Sequence, residues 1–237
     1  YEENHDGMAT STSLDNMGGL LGNGQIDYFS PSFDLGGATA SFMLAWAPEA
    51  SNTAVAEGGV STGSALYGSG GAFGLNVSTG GFSLGAYGAE ANKDGGATGL
   101  DGDAFDGTWF AKYTAGPVSF GYQTAFMDRG IAGAAAANNS SAKTVAAAGG
   151  DFESEAMSIA FNVNENFSVS YGDLTETYDA QDMGTIADVD MTSKSIQFAY
   201  TMGSMSIKGY QTDTDLPGWD SDAKSQEETE IAINFAF

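Results

Sequence analysis

The chain contains no cysteine, so neither a disulfide framework nor a thiolate metal site can form in it. Its one histidine, His5, has no serine or aspartate at a diagnostic spacing, which leaves a hydrolytic triad without a placed base. No apolar run approaches the roughly 18–20 residues of a transmembrane helix. Basic residues are scarce, seven against 31 acids, and the net charge of −24 would repel a nucleic-acid backbone. Acidity of this kind suits a solvated or disordered chain, but periodic aromatics contradict disorder. The start, Tyr1 to Asp6, is polar and acidic and shows no leader pattern.

Glycine is abundant instead, 34 residues with only four prolines and 12% aromatics, which suits many strands joined by tight turns. The last eight residues set the pattern. Ile231, Ile233, Phe235 and Phe237 share one parity, while Glu230, Ala232, Asn234 and Ala236 take the other. An exposed alternating edge of this kind invites aggregation in water, and a closed barrel in lipid removes the objection. The alternation recurs upstream. Eleven strands are predicted, at 24–30, 38–46, 73–79, 82–89, 108–115, 118–127, 157–163, 167–174, 192–202, 205–212 and 228–237. Short turns at 31–37, 80–81, 116–117, 164–166 and 203–204 alternate with long segments at about 47–66, 90–106, 128–152, 175–190 and 213–227.

Short turns at one end and long loops at the other predict an all-β fold, a transmembrane antiparallel up-and-down β-barrel, as one domain over 1–237. The acids support it: nearly all fall in 1–23, in the long loops or at strand ends, as the cost of a charge on a lipid-facing strand requires. The glycine-rich run Gly68 to Gly74 precedes a strand, so it is no dinucleotide loop, and no enzymatic activity is expected. Residues 132–149, rich in Ala, Asn and Ser, are low-complexity filler in an outer loop.

Eleven is an odd number, and single-chain bacterial barrels are even. Either residues 9–14 hide a twelfth strand, or strands are missing upstream of Tyr1. Here the passage Ile26-Asp27-Tyr28-Phe29-Ser30-Pro31-Ser32-Phe33, the passage Thr212-Asp213-Thr214-Asp215-Leu216-Pro217 and the terminal Phe237 resemble general diffusion porins of Gram-negative outer membranes, especially the alphaproteobacterial type. The resemblance implies sixteen strands in the full protein, a constriction loop whose second part would be residues 1–23, homotrimers, and a bacterial outer membrane with its lipid and lipopolysaccharide as surroundings.

Parity alone gives candidate pore-lining residues: Gln25, Asp27, Ser41, Lys112, Ser119, Gln123, Ser158, Asn162, Ser168, Ser170, Ser193, Gln197, Ser206, Lys208 and Asn234. With the resemblance, Lys112, Lys208 and Arg129 would form a basic set across from Glu2, Glu3, Asp6 and Asp15 at a constriction, or they are ordinary solvated charges. Lys194 takes the apolar parity near a strand's outer end, where lipopolysaccharide or a neighbouring loop could partner it. Asp101, Asp103 and Asp106 could offer oxygen ligands to a loosely bound Ca²⁺, but they lack the EF-hand spacing, and non-specific screening explains them as well. No other cofactor is expected. A passive, cation-preferring channel is the leading function; an adhesin or phage receptor acting through acidic loops, and a soluble secreted acidic β-protein, are the alternatives. The barrel requires detergent or lipid to remain dispersed. Sedimentation as a monomer in detergent-free buffer would favour the soluble alternative.

Overall fold

In a computed structural model, residues 25–48, 67–93, 102–128, 130, 151–179 and 188–236 are described. They form one antiparallel meander: β1 (Ile26–Phe29), β2 (Phe33–Asp34), β3 (Thr39–Ala47), β4 (Tyr67–Thr79), β5 (Phe82–Lys93), β6 (Ala104–Ala115), β7 (Val118–Asp128), β8 (Asp151–Asn164), β9 (Phe167–Asp179), β10 (Val189–Met202), β11 (Met205–Asp215) and β12 (Gln226–Phe235). β1 and β2 both pair with β3, from β3 onward each strand pairs with the next, and among the described residues β1 with β2 forms one edge of the sheet and β12 the other. No described helix is long and apolar enough to cross a membrane.

β1 and β2 together fill the place of the first predicted strand, and the turn expected over 31–37 is shorter than that. Phe29 pairs with Met43 and Phe33 with Ala40, so three residues, Ser30 to Ser32, oppose two on β3. This is a β-bulge at Pro31, which has no N–H to give the ladder. Ser30 holds the gap closed: its N–H donates to the Phe42 carbonyl at 2.9 Å, and its Oγ accepts the Phe42 N–H at 2.8 Å. The extra residue flips the parity. Tyr28 and Phe33, five apart, would face opposite ways in a regular strand. Here both rings pack on Phe42, at 5.8 and 6.3 Å. The true turn begins after Asp34, whose carboxylate accepts the N–H groups of Gly36 and Gly37, both with positive φ.

The turns at 80–81, 116–117, 165–166 and 203–204 fall where predicted. At the other end, the loop end, strands outrun the prediction. β4 starts six residues early, β8 six residues early, and β9 ends five residues late. Apolar alternation stops before the backbone ladder does, because beyond the apolar zone both faces of a paired wall can be polar. Asp106, Glu153, Glu155, Glu176 and Asp213 therefore lie within strands, and Asp215 ends one, all beyond the predicted strand limits.

The register assigns each side chain to a face. Leu44, Phe73, Trp109, Phe120, Ile159, Ile196 and Ile231 belong to one parity and are exposed, a wide apolar face that water would not tolerate. Glycines let rings lie flat against the sheet: Phe198 covers Gly209 and Phe73 covers Gly88, where a Cβ would clash. Tyrosines edge the apolar zone, Trp109 packing on Tyr122 at 5.2 Å and the Tyr171 hydroxyl donating to Asp173 at 3.1 Å. Toward the loop end this zone stops at Trp46 on β3, Phe126 on β7, Met157 on β8, Tyr171 on β9 and Ile231 on β12. Lys194, on the same parity, sits just past the border, opposite Asp173 and Asp213 in register.

The face assignment has a direct test. Ile159→Arg places a charge on the apolar face and should cost about 2–4 kcal/mol in urea unfolding from lipid vesicles. Ser158→Arg, one residue away on the polar face, should change stability by less than about 0.5 kcal/mol. Equal costs would show that the two faces are misassigned.

Candidate functional site: the polar face of the sheet

The opposite parity is small and hydroxylated. One row across the sheet reads Ser83, Lys112, Gly121, Ser158, Gly172, Ser195, Thr212 and Glu228. Hydroxyls on neighbouring strands bond to one another: Thr114 with Ser119, Ser193 with Thr214, and Thr212 with Ser195, each at 3.0 Å. Such pairs satisfy the wall without extending into the space before it. Larger groups are held down. Phe110 lies over Gly85 and stacks on Tyr87 with centroids 6.5 Å apart, and the Tyr87 hydroxyl is bonded by the Asn76 amide.

All the parity-based candidates among the described residues fall on this face, including Gln25, Asp27, Ser41, Gln123, Asn162, Gln197 and Asn234. Asp27 accepts the Gln25 amide at 3.0 Å. Lys112 and Lys208 both stand exposed here, on β6 and β11, five strand spacings or about 24 Å apart across the sheet and four residues apart in register. Beside Lys208 the Tyr210 hydroxyl sits 3.1 Å from Glu228 and 3.1 Å from Glu230. These two wall carboxylates lie in the predicted last strand but are not among its pore-lining candidates. Glu2, Glu3, Asp6, Asp15, Arg129 and Asp101 lie outside the described residues, as do residues 9–14, 132–149 and Phe237.

Asp103 and Asp106 do not converge. Asp103 is exposed just before β6 and accepts the Lys93 N–H at 2.6 Å, while Asp106 is buried within β6 on the polar face. Among the described residues, no group of three or more acids and histidines is placed to hold a metal ion.

Among the described residues, a buried hydrophobic cluster also lies on the polar face. Met127, Phe152, Tyr178, Val189 and Met191, at the loop ends of β7 to β10, pack around Trp219. Trp219 comes from a single 3-10 turn, Pro217–Trp219, that folds back onto the sheet after β11. Its ring is 1% exposed and meets Phe152 edge-on at 4.9 Å, and its Nε1–H donates to the Glu176 carbonyl at 3.1 Å. The Gly218 N–H donates to the Met191 sulfur at 3.3 Å. Replacing such a ring by alanine costs about 3–5 kcal/mol. Only its ProGlyTrp sequence, a turn with a large apolar residue behind it, hints at this anchor.

A wide antiparallel meander with a broad apolar zone on one face and small hydroxyls opposite it is the wall of a transmembrane β-barrel. The chain matches no protein-family description and no curated protein sequence. Its fold is nonetheless that of solved porins. It is similar to a porin at 16% identity, with 89% of this chain and 60% of that one covered and a TM-score of 0.53. It is similar to Salmonella typhi OmpF, solved with daunomycin, at 10% identity, with 84% and 61% covered and a TM-score of 0.56. The chain thus spans about 60% of the length of either.

Because the chain has no cysteine, single introduced cysteines report the two faces without interference. Ser158→Cys, Gln197→Cys and Ser206→Cys should react with a charged, water-soluble thiol reagent in lipid-reconstituted protein. Ile159→Cys and Ile196→Cys should not. The reverse pattern would refute the wall described above.

Proposed function

We propose that this chain forms the wall of an outer-membrane channel through which ions and small hydrophilic solutes diffuse passively, with a preference for cations. The observation that carries the reading is the partition of the two parities. Large exposed apolar side chains cluster in a zone of one face, and small polar residues, chiefly serines, threonines and glycines, predominate on the other opposite that zone. Lipid is the solvent that accepts the first face, and a water-filled lumen is the surroundings that suit the second. The porin fold supports the same reading. No reacting group is required of such a wall; it acts by its width and its charge.

The loop ends face outward and the short turns face the periplasm, as in barrels of this class. Glu228 and Glu230 on the wall, together with a net charge of −24, raise the local concentration of cations over anions. The apolar face also has room for copies of itself, and a homotrimer in lipid and lipopolysaccharide is the assembly we favour. For Lys194, just past the apolar border, a lipopolysaccharide phosphate or a neighbouring loop is the partner this reading suggests.

Reconstituted into planar bilayers, the full-length protein should give stepwise conductance and, in a salt gradient, a reversal potential of the sign for cations. Glu228→Gln with Glu230→Gln should move that potential toward zero. Absence of steps, or an anion-selective potential, would end this reading in favour of a receptor or adhesin barrel.

A further inference from the structure

After β11 the chain turns inward instead of continuing as wall. Leu216 at φ 48° and Trp219 at φ 57° are the only non-glycine residues with positive φ among those described, and Gly218 between them has φ 69°. Left-handed backbone at Leu and Trp is unfavourable and persists where the surroundings over-determine it. Here they do. The buried indole, its bond to the Glu176 carbonyl and the Gly218–Met191 contact hold the turn from three sides. The next residues are fixed too: Asp220 accepts the Asp222 N–H through its side chain at 2.9 Å and the Ala223 N–H through its carbonyl at 3.0 Å, and the Ser225 hydroxyl donates to Asp215.

The side of the sheet on which this happens is decisive. Phe152 pairs with Tyr178, Tyr178 with Val189, and Met191 with Glu176, and Phe152, Tyr178, Val189 and Met191 all have the parity opposite to Ile159, Tyr171 and Ile196. The turn therefore lies against the face assigned to solute, near its loop end.

We propose that residues 216–223 are a permanent inner lining of the channel mouth, pinned by Trp219, which narrows the passage there and presents Asp220 and Asp222 to incoming solutes. The inference deepens the channel reading and rests on it. A chain segment packed on a sheet adds a layer about 10 Å thick, so it sets the free cross-section on the side of β8 to β10. Its two carboxylates favour small hydrophilic cations over anions, and its bulk slows large solutes. Trp219 acts here as a positioning residue.

The experiment compares three forms of the full-length protein in planar bilayers and adds one optical measurement. Trp219→Ala should raise single-channel conductance by about 1.5-fold, since a layer about 10 Å thick leaves the wall, and should speed uptake of large solutes more than small ones. Asp220→Asn with Asp222→Asn leaves the pin intact and should lower the cation-to-anion permeability ratio by about twofold. Unchanged conductance in the first and unchanged selectivity in the second would overturn the inference while leaving the channel. In a Trp46→Phe, Trp109→Phe background, Trp219 should emit at short wavelength and resist iodide quenching several-fold better than free indole. Quenching like that of free indole would overturn the pin even in a protein that folds but carries no current. A wild type that gives no conductance steps, with Trp219 protected, would instead remove the channel reading and with it the role of the lining, leaving the pinned turn.

Discussion

Everything in this structure depends on the backbone ladder being complete between neighbouring strands. Lipid offers no partner for an unpaired N–H or C=O, so a wall that crosses it pairs every strand with the next. Pairing then dictates both faces at once. Side chains alternate with a period of two, and a slip of one residue in any register would send hydroxyls to lipid and isoleucines to water. Tolerance for irregularity is correspondingly small. The bulge by Pro31 lies at an edge strand, close to a turn, where Ser30 repairs the ladder with two bonds of its own, and the other register shifts, between Tyr67 and Gly70 on β4 and between Asn162 and Asn164 on β8, lie at strand ends.

Much of this was legible in the amino acids. Turn positions were readable because Gly80, Gly116 and Gly203 take left-handed backbone that few other residues accept. The apolar parity of β6 to β12 was readable because nothing but alternation places Ile159, Phe161 and Val163 on one side. Strand ends were not. Past Met157 on β8 come Glu155, Glu153 and Asp151, which resemble a loop by composition yet continue the same ladder, Glu155 opposite Thr124 and Glu153 opposite Phe126. Sequence reading equates the strand with its buried stripe, and here the paired wall is longer than the stripe.

Two other features escaped for a different reason. The bulge changes the face of Phe33 relative to Tyr28, and a parity count cannot see a residue that is skipped. Trp219 stands alone between acids, with no periodic companion; its partners Phe152 and Met191 lie 67 and 28 residues away in the chain. Contacts that long are fixed by the register of four strands together, not by any local pattern.

The border of the apolar zone carries a geometric consequence. Through the register, Trp46 on β3 shares a row with Phe105 on β6. Ile231 on β12 shares a row with Ala115, ten residues further along the same strand. A membrane surface is level, so the rows must climb past it as the sheet is crossed. Ten residues are about 33 Å of strand, and the nine strand spacings from β3 to β12 are about 43 Å. The strands therefore lean from the membrane normal by about 35–40°, within the inclination that lets a sheet of this kind curl until its edges meet.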